Sequence, residues 1–166
     1  LDEANPILDT NLELGVASAR VAIIQNPLSS GGLAYTFRRH RDKPWTLPLF
    51  MKNKMIDGFG AGLLSFIIDG ARTMLVAGTR SSGKTSLLGS MLLEIMPNNR
   101  IITVEDTLEL PVDAMKKLNY DILSMKVRGA LAGESTEVSA TEGIRASLRL
   151  GDSGLIVGEI RSEEAK

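Results

Sequence analysis

The chain has 166 residues, 43% of them hydrophobic and 23% charged, and its 19 Lys and Arg nearly balance its 20 Asp and Glu, for a net charge of −1. This balance predicts a soluble, intracellular globular protein with one sizeable core, and it excludes a strongly basic nucleic-acid binder. The absence of cysteine excludes a disulfide framework, a thiolate zinc site and a cysteine nucleophile. The longest run without a charge or a strong polar break, Gly58 to Ile68, falls short of the roughly 20 apolar residues that span a bilayer. No signal segment opens the chain, and its last residues, 161 to 166, read as a charged helix broken off at Lys166. The chain is therefore expected to be a piece of a longer protein.

Residues 1 to 15 are acidic and turn-rich, without a period. Residues 20 to 25 (RVAIIQ) and 33 to 39 (LAYTFRR) read as strands, and the turn formers NPLSSGG between them predict a small antiparallel unit. Residues 42 to 55, with two prolines in DKPWTLP, read as a linker, which divides the chain into domains at 1–41 and 56–166. From residue 56 the pattern changes. Ile56, Phe59, Leu63, Leu64 and Ile67 fall at helical spacing, ending at Asp69-Gly70. Residues 73 to 77 (TMLVA) have the short apolar run of a buried parallel strand. Residues 84 to 96 read as an amphipathic helix, 100 to 104 and 122 to 127 as strands, 141 to 150 as a helix, and 155 to 157 as a last buried strand. Alternating strands and helices predict a parallel α/β sheet behind a small antiparallel unit.

The segment Gly78-Thr79-Arg80-Ser81-Ser82-Gly83-Lys84-Thr85, followed by Ser86, satisfies G-x-x-x-x-G-K-[ST] at every specified position. The glycines let backbone N–H groups curl around phosphate oxygens where a side chain would block the approach. Lys84 has the reach to meet β and γ phosphates, and the Thr85 hydroxyl suits Mg²⁺. The helix that follows aims its N-terminal dipole at the same phosphates. Strand before and helix after are the context this motif requires.

Turnover also needs a polarised water and neutralised charge. Acids at the C-terminal ends of parallel strands face one crevice. Glu105, Asp106 and Glu109 follow RIITV, and Glu159 follows LIVG; solvated loop ends or helix caps are the alternative for each. Arg145 and Arg149 are four apart on a predicted helix and share a face there, with an exposed face pairing Glu142 to Arg145 the simpler account. Arg20, Arg38 and the single histidine, His40, read as surface residues of the N-terminal strands. At 4% aromatic, the chain has few platforms for stacking single-stranded nucleic acid.

Taken together, AGTRSSGKTS, IITVEDTLELP and SLRLGDSGLIVGEIRSEEA, in this order, resemble the type II/type IV secretion and pilus-assembly ATPases, most of all the archaeal pilus and archaellum members and their relatives in conjugation and tight-adherence secretion systems. RVAIIQNPLSSGGLAYTFRR is similar to that family's N-terminal-domain segment, so the resemblance spans roughly residues 18 to 166. It implies a RecA-like core in which residues 78 to 85 are Walker A, and Glu105, Asp106 and Glu109 lie in an acidic box that helps hold Mg²⁺ and water. Glu159 would be the Walker B glutamate. Arg145 and Arg149 match core-domain arginines that contact phosphate, often across a subunit boundary, while Arg20 and Arg38 match N-terminal-domain sensors or fingers. ATP with Mg²⁺, a homo-oligomer in the form of a hexameric ring, an inner-membrane platform protein as partner, and a cytoplasmic location at the membrane face all follow from the resemblance. The family's Arg-Pro-Asp before Walker B is replaced here by Gly151-Asp152-Ser153. A DNA-translocating RecA-like ATPase, a P-loop phosphotransferase and a non-hydrolysing nucleotide-responsive scaffold stand as alternatives.

Overall fold

The computed structural model describes residues 5–14, 17–39, 43–127, 140–151 and 153–159. His40, Asp152 and the charged segment 161–166 lie outside the described residues. The chain divides into two compact units, Leu1–Asp42 and Lys43–Lys166.

The first unit is a three-stranded antiparallel sheet, β1 (Ile7–Leu14), β2 (Ala17–Ile24) and β3 (Ala34–Arg39), in that spatial order. Directly opposed residues share a face, so Leu8, Ile23 and Tyr35 stand in one row and Thr10, Val21 and Phe37 in the next. Val21 at the centre is buried. The turn from β2 to β3 closes through Ser29 N–H to the Gln25 carbonyl and Gly32 N–H to the Ser29 carbonyl, with Gly32 at φ 99°. β1 has no counterpart in the sequence reading, because adjacent Ile7 and Leu8 break the alternation by which a half-buried strand is recognised.

The second unit contains α1 (Leu47–Lys52), α2 (Gly58–Asp69), α3 (Lys84–Leu92), β4 (Ile101–Glu105), α4 (Val112–Lys117), β5 (Ile122–Lys126), α5 (Ala140–Ser147) and β6 (Gly154–Val157). Its sheet is parallel, in the order β5-β4-β6, with β4 buried along its whole length. The α/β class expected from the alternation is what the chain adopts. Leu92 from α3, Ile101, Leu110, Val112 and Met115 of α4, and Ile122 form the core on one side of this sheet. Tyr120 is half-buried beside them and donates its hydroxyl to the Leu93 carbonyl at 2.9 Å. On α5, Gly143 allows close packing: a methyl there would lie 2.6 Å from Val127 Cγ1.

Three expectations need correction. The stretch 42–55, read as a linker, is helical over Leu47–Lys52, with Leu47 and Phe50 buried and α1 packed on α2 and α3. Pro48 misled because proline in a first turn starts a helix rather than stopping one, and Thr46 caps that turn by accepting the Leu49 N–H. Residues 73–77, read as a buried strand, join no ladder, and Leu75 is 84% exposed. Local apolarity records that a segment can pair, not that it does. The helix expected over 141–150 ends at Ser147, and Leu148–Leu150 continue as a turn through Arg149 N–H to Ala146 O and Leu150 N–H to Ser147 O.

Candidate functional site

Loop 78–85 is shaped by its main chain. Ser81 (φ 62°) and Gly83 (φ 87°) both take left-handed backbone, and Gly83 is the N-cap of α3. No side chain caps that helix end, so its first-turn amides are left for an external acceptor. At Gly78 the loop folds back so closely that an added Cβ would stand 2.6 Å from Ser82 Oγ. The Ser82 N–H closes on the Thr79 carbonyl at 3.3 Å, and the Lys84 ammonium crosses the loop to donate to the same carbonyl at 2.7 Å. An open cavity of about 400 Å³ adjoins the loop, lined by Phe50, Met55 and Ile56 as well as by Gly83 and Lys84. Sequence reading missed the first three, since it assigned those residues to a linker and to the start of a helix. Bare helix-end amides and one cation, on a loop bent through Gly78 and the left-handed Gly83, are the donor set that a polyphosphate fits.

Thr85 and Ser86 lie in the first turn of α3 and are half-buried. Arg80 is exposed in the loop. A Mg²⁺ ion keeps most of its ligands as water and phosphate oxygen, so one hydroxyl at this point is a sufficient protein contribution. Among the described residues, no three acids or histidines gather into a metal-holding group. Asp106 and Glu109, expected as metal ligands, are half-buried in the loop after β4.

The acidic end of the sheet is assembled by parallel register. Val157 of β6 pairs with Val104 of β4, and the Gly158 N–H donates to the Val104 carbonyl at 2.8 Å. Glu105 and Glu159 therefore leave the same end of the sheet, as strand-end acids were expected to. They differ in setting. Glu159 is exposed, whereas Glu105 is 3% exposed. Glu105 Oε1 accepts the backbone N–H groups of both Glu109 and Leu110 at 3.0 Å. Burial pushes its pKa above the ordinary 4.5, against the lowering by those two amides and with further raising by Glu109 and Asp106. The phosphate-loop helix abuts the far end of this acidic loop: a methyl on Gly89 of α3 would lie 3.2 Å from Pro111 Cδ.

Arg145 is exposed on α5, and Arg149 is exposed in the turn beyond it, so the two do not share a helical face as expected. Arg20 and Arg38 oppose each other across β2 and β3 in the first unit. Arg20 forms a bidentate ion pair with Asp9, Nε to Oδ1 at 2.9 Å and a terminal nitrogen to Oδ2 at 2.6 Å. Asp9 was not singled out in the sequence, and only the strand register reveals it.

Fold and site define an α/β protein with a phosphate-type loop at the start of a helix and acids at neighbouring strand ends. Residues 8–166 match the family described as Type II/IV secretion system protein, and the chain belongs to that family. It is 29% identical over 181 residues to the type IV secretion system protein PtlH of Bordetella pertussis, covering 96% of this chain and 51% of that protein. A Mycobacterium tuberculosis protein named for conjugal transfer is 29% identical over 167 residues, covering 99% of this chain and 46% of the relative. Among solved structures, the VirB11 ATPase from the Brucella suis type IV secretion system, crystallised with sulphate, superposes with a TM-score of 0.52 at 22% identity, over 99% of this chain and 51% of that one. The chain thus spans about half the length of these relatives. Among the described residues no helix is long and apolar enough to cross a membrane.

Proposed function

We propose that the protein containing this chain is a Mg²⁺-dependent ATPase that hydrolyses ATP at subunit interfaces of a ring, hexameric by resemblance, and powers export or assembly through a type II/type IV secretion or pilus machine. Membership of the secretion family supports the coarse role. The observation that carries the chemistry is the loop at the start of α3, with its uncapped amides, its close turn at Gly78, its left-handed Gly83 and its lysine.

Residues 78–86 would bind the polyphosphate through main-chain N–H groups, with Lys84 leaving the Thr79 carbonyl for the β and γ phosphates. Thr85 would hold Mg²⁺, with Asp106 and Glu109 ordering its waters, and the ion would supply charge neutralisation as the terminal phosphate departs. Glu159, exposed at the sheet end, would accept a proton from the attacking water. Arg145 and Arg149, both exposed, would reach phosphate across a subunit boundary. By the family resemblance Arg20 and Arg38 would serve as nucleotide sensors or fingers of the N-terminal unit. An inner-membrane platform protein as partner, and a cytoplasmic position at the membrane face, complete the reading.

Turnover by the intact protein across a range of protein concentrations, beside Lys84→Ala, tests it. Specific activity should climb with concentration and vanish in the variant. Activity that ignores concentration, or that survives loss of Lys84, would overturn the reading.

A further inference from the structure

The one buried acid among the described residues is Glu105, and its contacts differ in kind from those of the other acids. It closes the central strand of the sheet, where its own carbonyl accepts the Val127 N–H at 2.8 Å and the preceding carbonyl accepts the Gly158 N–H at 2.8 Å. Its position is therefore fixed from both neighbouring strands. Its Cγ lies over Gly158, where a methyl would come within 2.9 Å. Every polar contact of the side chain runs through Oε1, which takes the amides of Glu109 and Leu110, while Oε2 is buried with no partner among the described residues.

We propose that Glu105 is a positioning residue: it holds the main chain at Glu109 and Leu110 to the end of β4 and thereby fixes the loop carrying Asp106 and Glu109, with Gly158 as the residue whose missing side chain admits it. Two backbone amides bonded to one buried oxygen resist loop opening. The Glu105 Cγ occupies the space a Gly158 side chain would take, so the end of β4 and the start of the Glu159 segment pack closely. The structural part of this inference stands without nucleotide, and only its consequence for metal use rests on the ATPase reading.

The test is amide hydrogen exchange on the intact protein without nucleotide, in native, Glu105→Gln and Glu105→Ala forms. Glutamine keeps a carbonyl oxygen at the Oε1 position, and alanine keeps nothing. Exchange at Glu109 and Leu110 should accelerate about tenfold or more in the alanine variant and stay within about threefold of native in the glutamine variant. The Mg²⁺ concentration for half-maximal turnover should follow, rising at least about fivefold with alanine and returning to within about twofold with glutamine. Unchanged exchange at both amides in the alanine variant would overturn the inference, as would a metal requirement shifted equally by both substitutions. If the alanine variant does not fold, Gly158→Ala replaces it: the added methyl should displace Glu105 and speed exchange at the same two amides, and unaltered protection there would overturn the inference. A protein without ATP turnover would refute the ATPase reading and leave the exchange result standing.

Discussion

Loop 78–85 takes its form from glycines and free main-chain amides, whereas loop 106–110 is held in place by one buried carboxylate reaching from the end of β4. The first can be recognised from spacing alone, because each glycine and the lysine is required by local geometry. The second cannot, because Glu105 is one acid among three in a short segment, and what separates it from Asp106 and Glu109 is burial supplied by β6 and by the fold of residues 109–110. Local motifs write themselves into sequence; supports that depend on a neighbouring strand do not.

The largest effect that would break this contrast is at Gly78. Gly78→Ala places a methyl against Ser82 Oγ, and overpacking of about 1–3 kcal/mol should weaken ATP binding about tenfold or more. Adding Ser82→Ala removes the offending oxygen and should recover much of that loss; a titration showing no recovery would mean the loop is not shaped by this contact. Gly158→Ala should destabilise the folded protein by about 1–3 kcal/mol through contact with Glu105, measured by urea unfolding. Gly83→Ala has open space around it and acts through backbone alone, so it should cost about 1–2 kcal/mol from the left-handed φ. Equal rescue of both glycine variants by Glu105→Ala would erase the distinction between contact and strain.

The smallest effect is one of pH. With Asp106 and Glu109 beside it and burial dominant, the Glu105 pKa is raised above 4.5, so the folded state holds its proton more tightly than the unfolded chain does. Its contribution to stability is full below that value and is lost as pH rises through the higher folded one. Glu105→Gln does not titrate, so the native protein should lose stability relative to the variant across that window. Parallel unfolding profiles would contradict the burial.

Most of the second unit was legible in its sequence. α2, α3, β4, β5 and β6 lie where apolar spacing puts them, to within a turn or a residue or two at most ends. α4 was not, because only Val112 and Met115 mark its buried side and its N-cap is Pro111, which offers no capping side chain. α1 was hidden by Pro48, and residues 73–77 were over-read because a ladder is a property of two segments. At the site, the loop, Lys84 and the strand-end acids were readable. The Asp9 partner of Arg20, the cavity lining by Phe50, Met55 and Ile56 and the contact of Gly158 with Glu105 were not, since each joins residues that only strand register or helix packing brings together.

The most direct measurement is calorimetric binding of ATP, ADP and adenosine, each with Mg²⁺, to the intact protein and to Lys84→Ala. A phosphate-reading loop should bind ATP and ADP, give no measurable heat with adenosine, and lose affinity for ATP at least about tenfold when Lys84 is removed. Adenosine binding as tight as that of ATP, or ATP binding indifferent to Lys84, would contradict it.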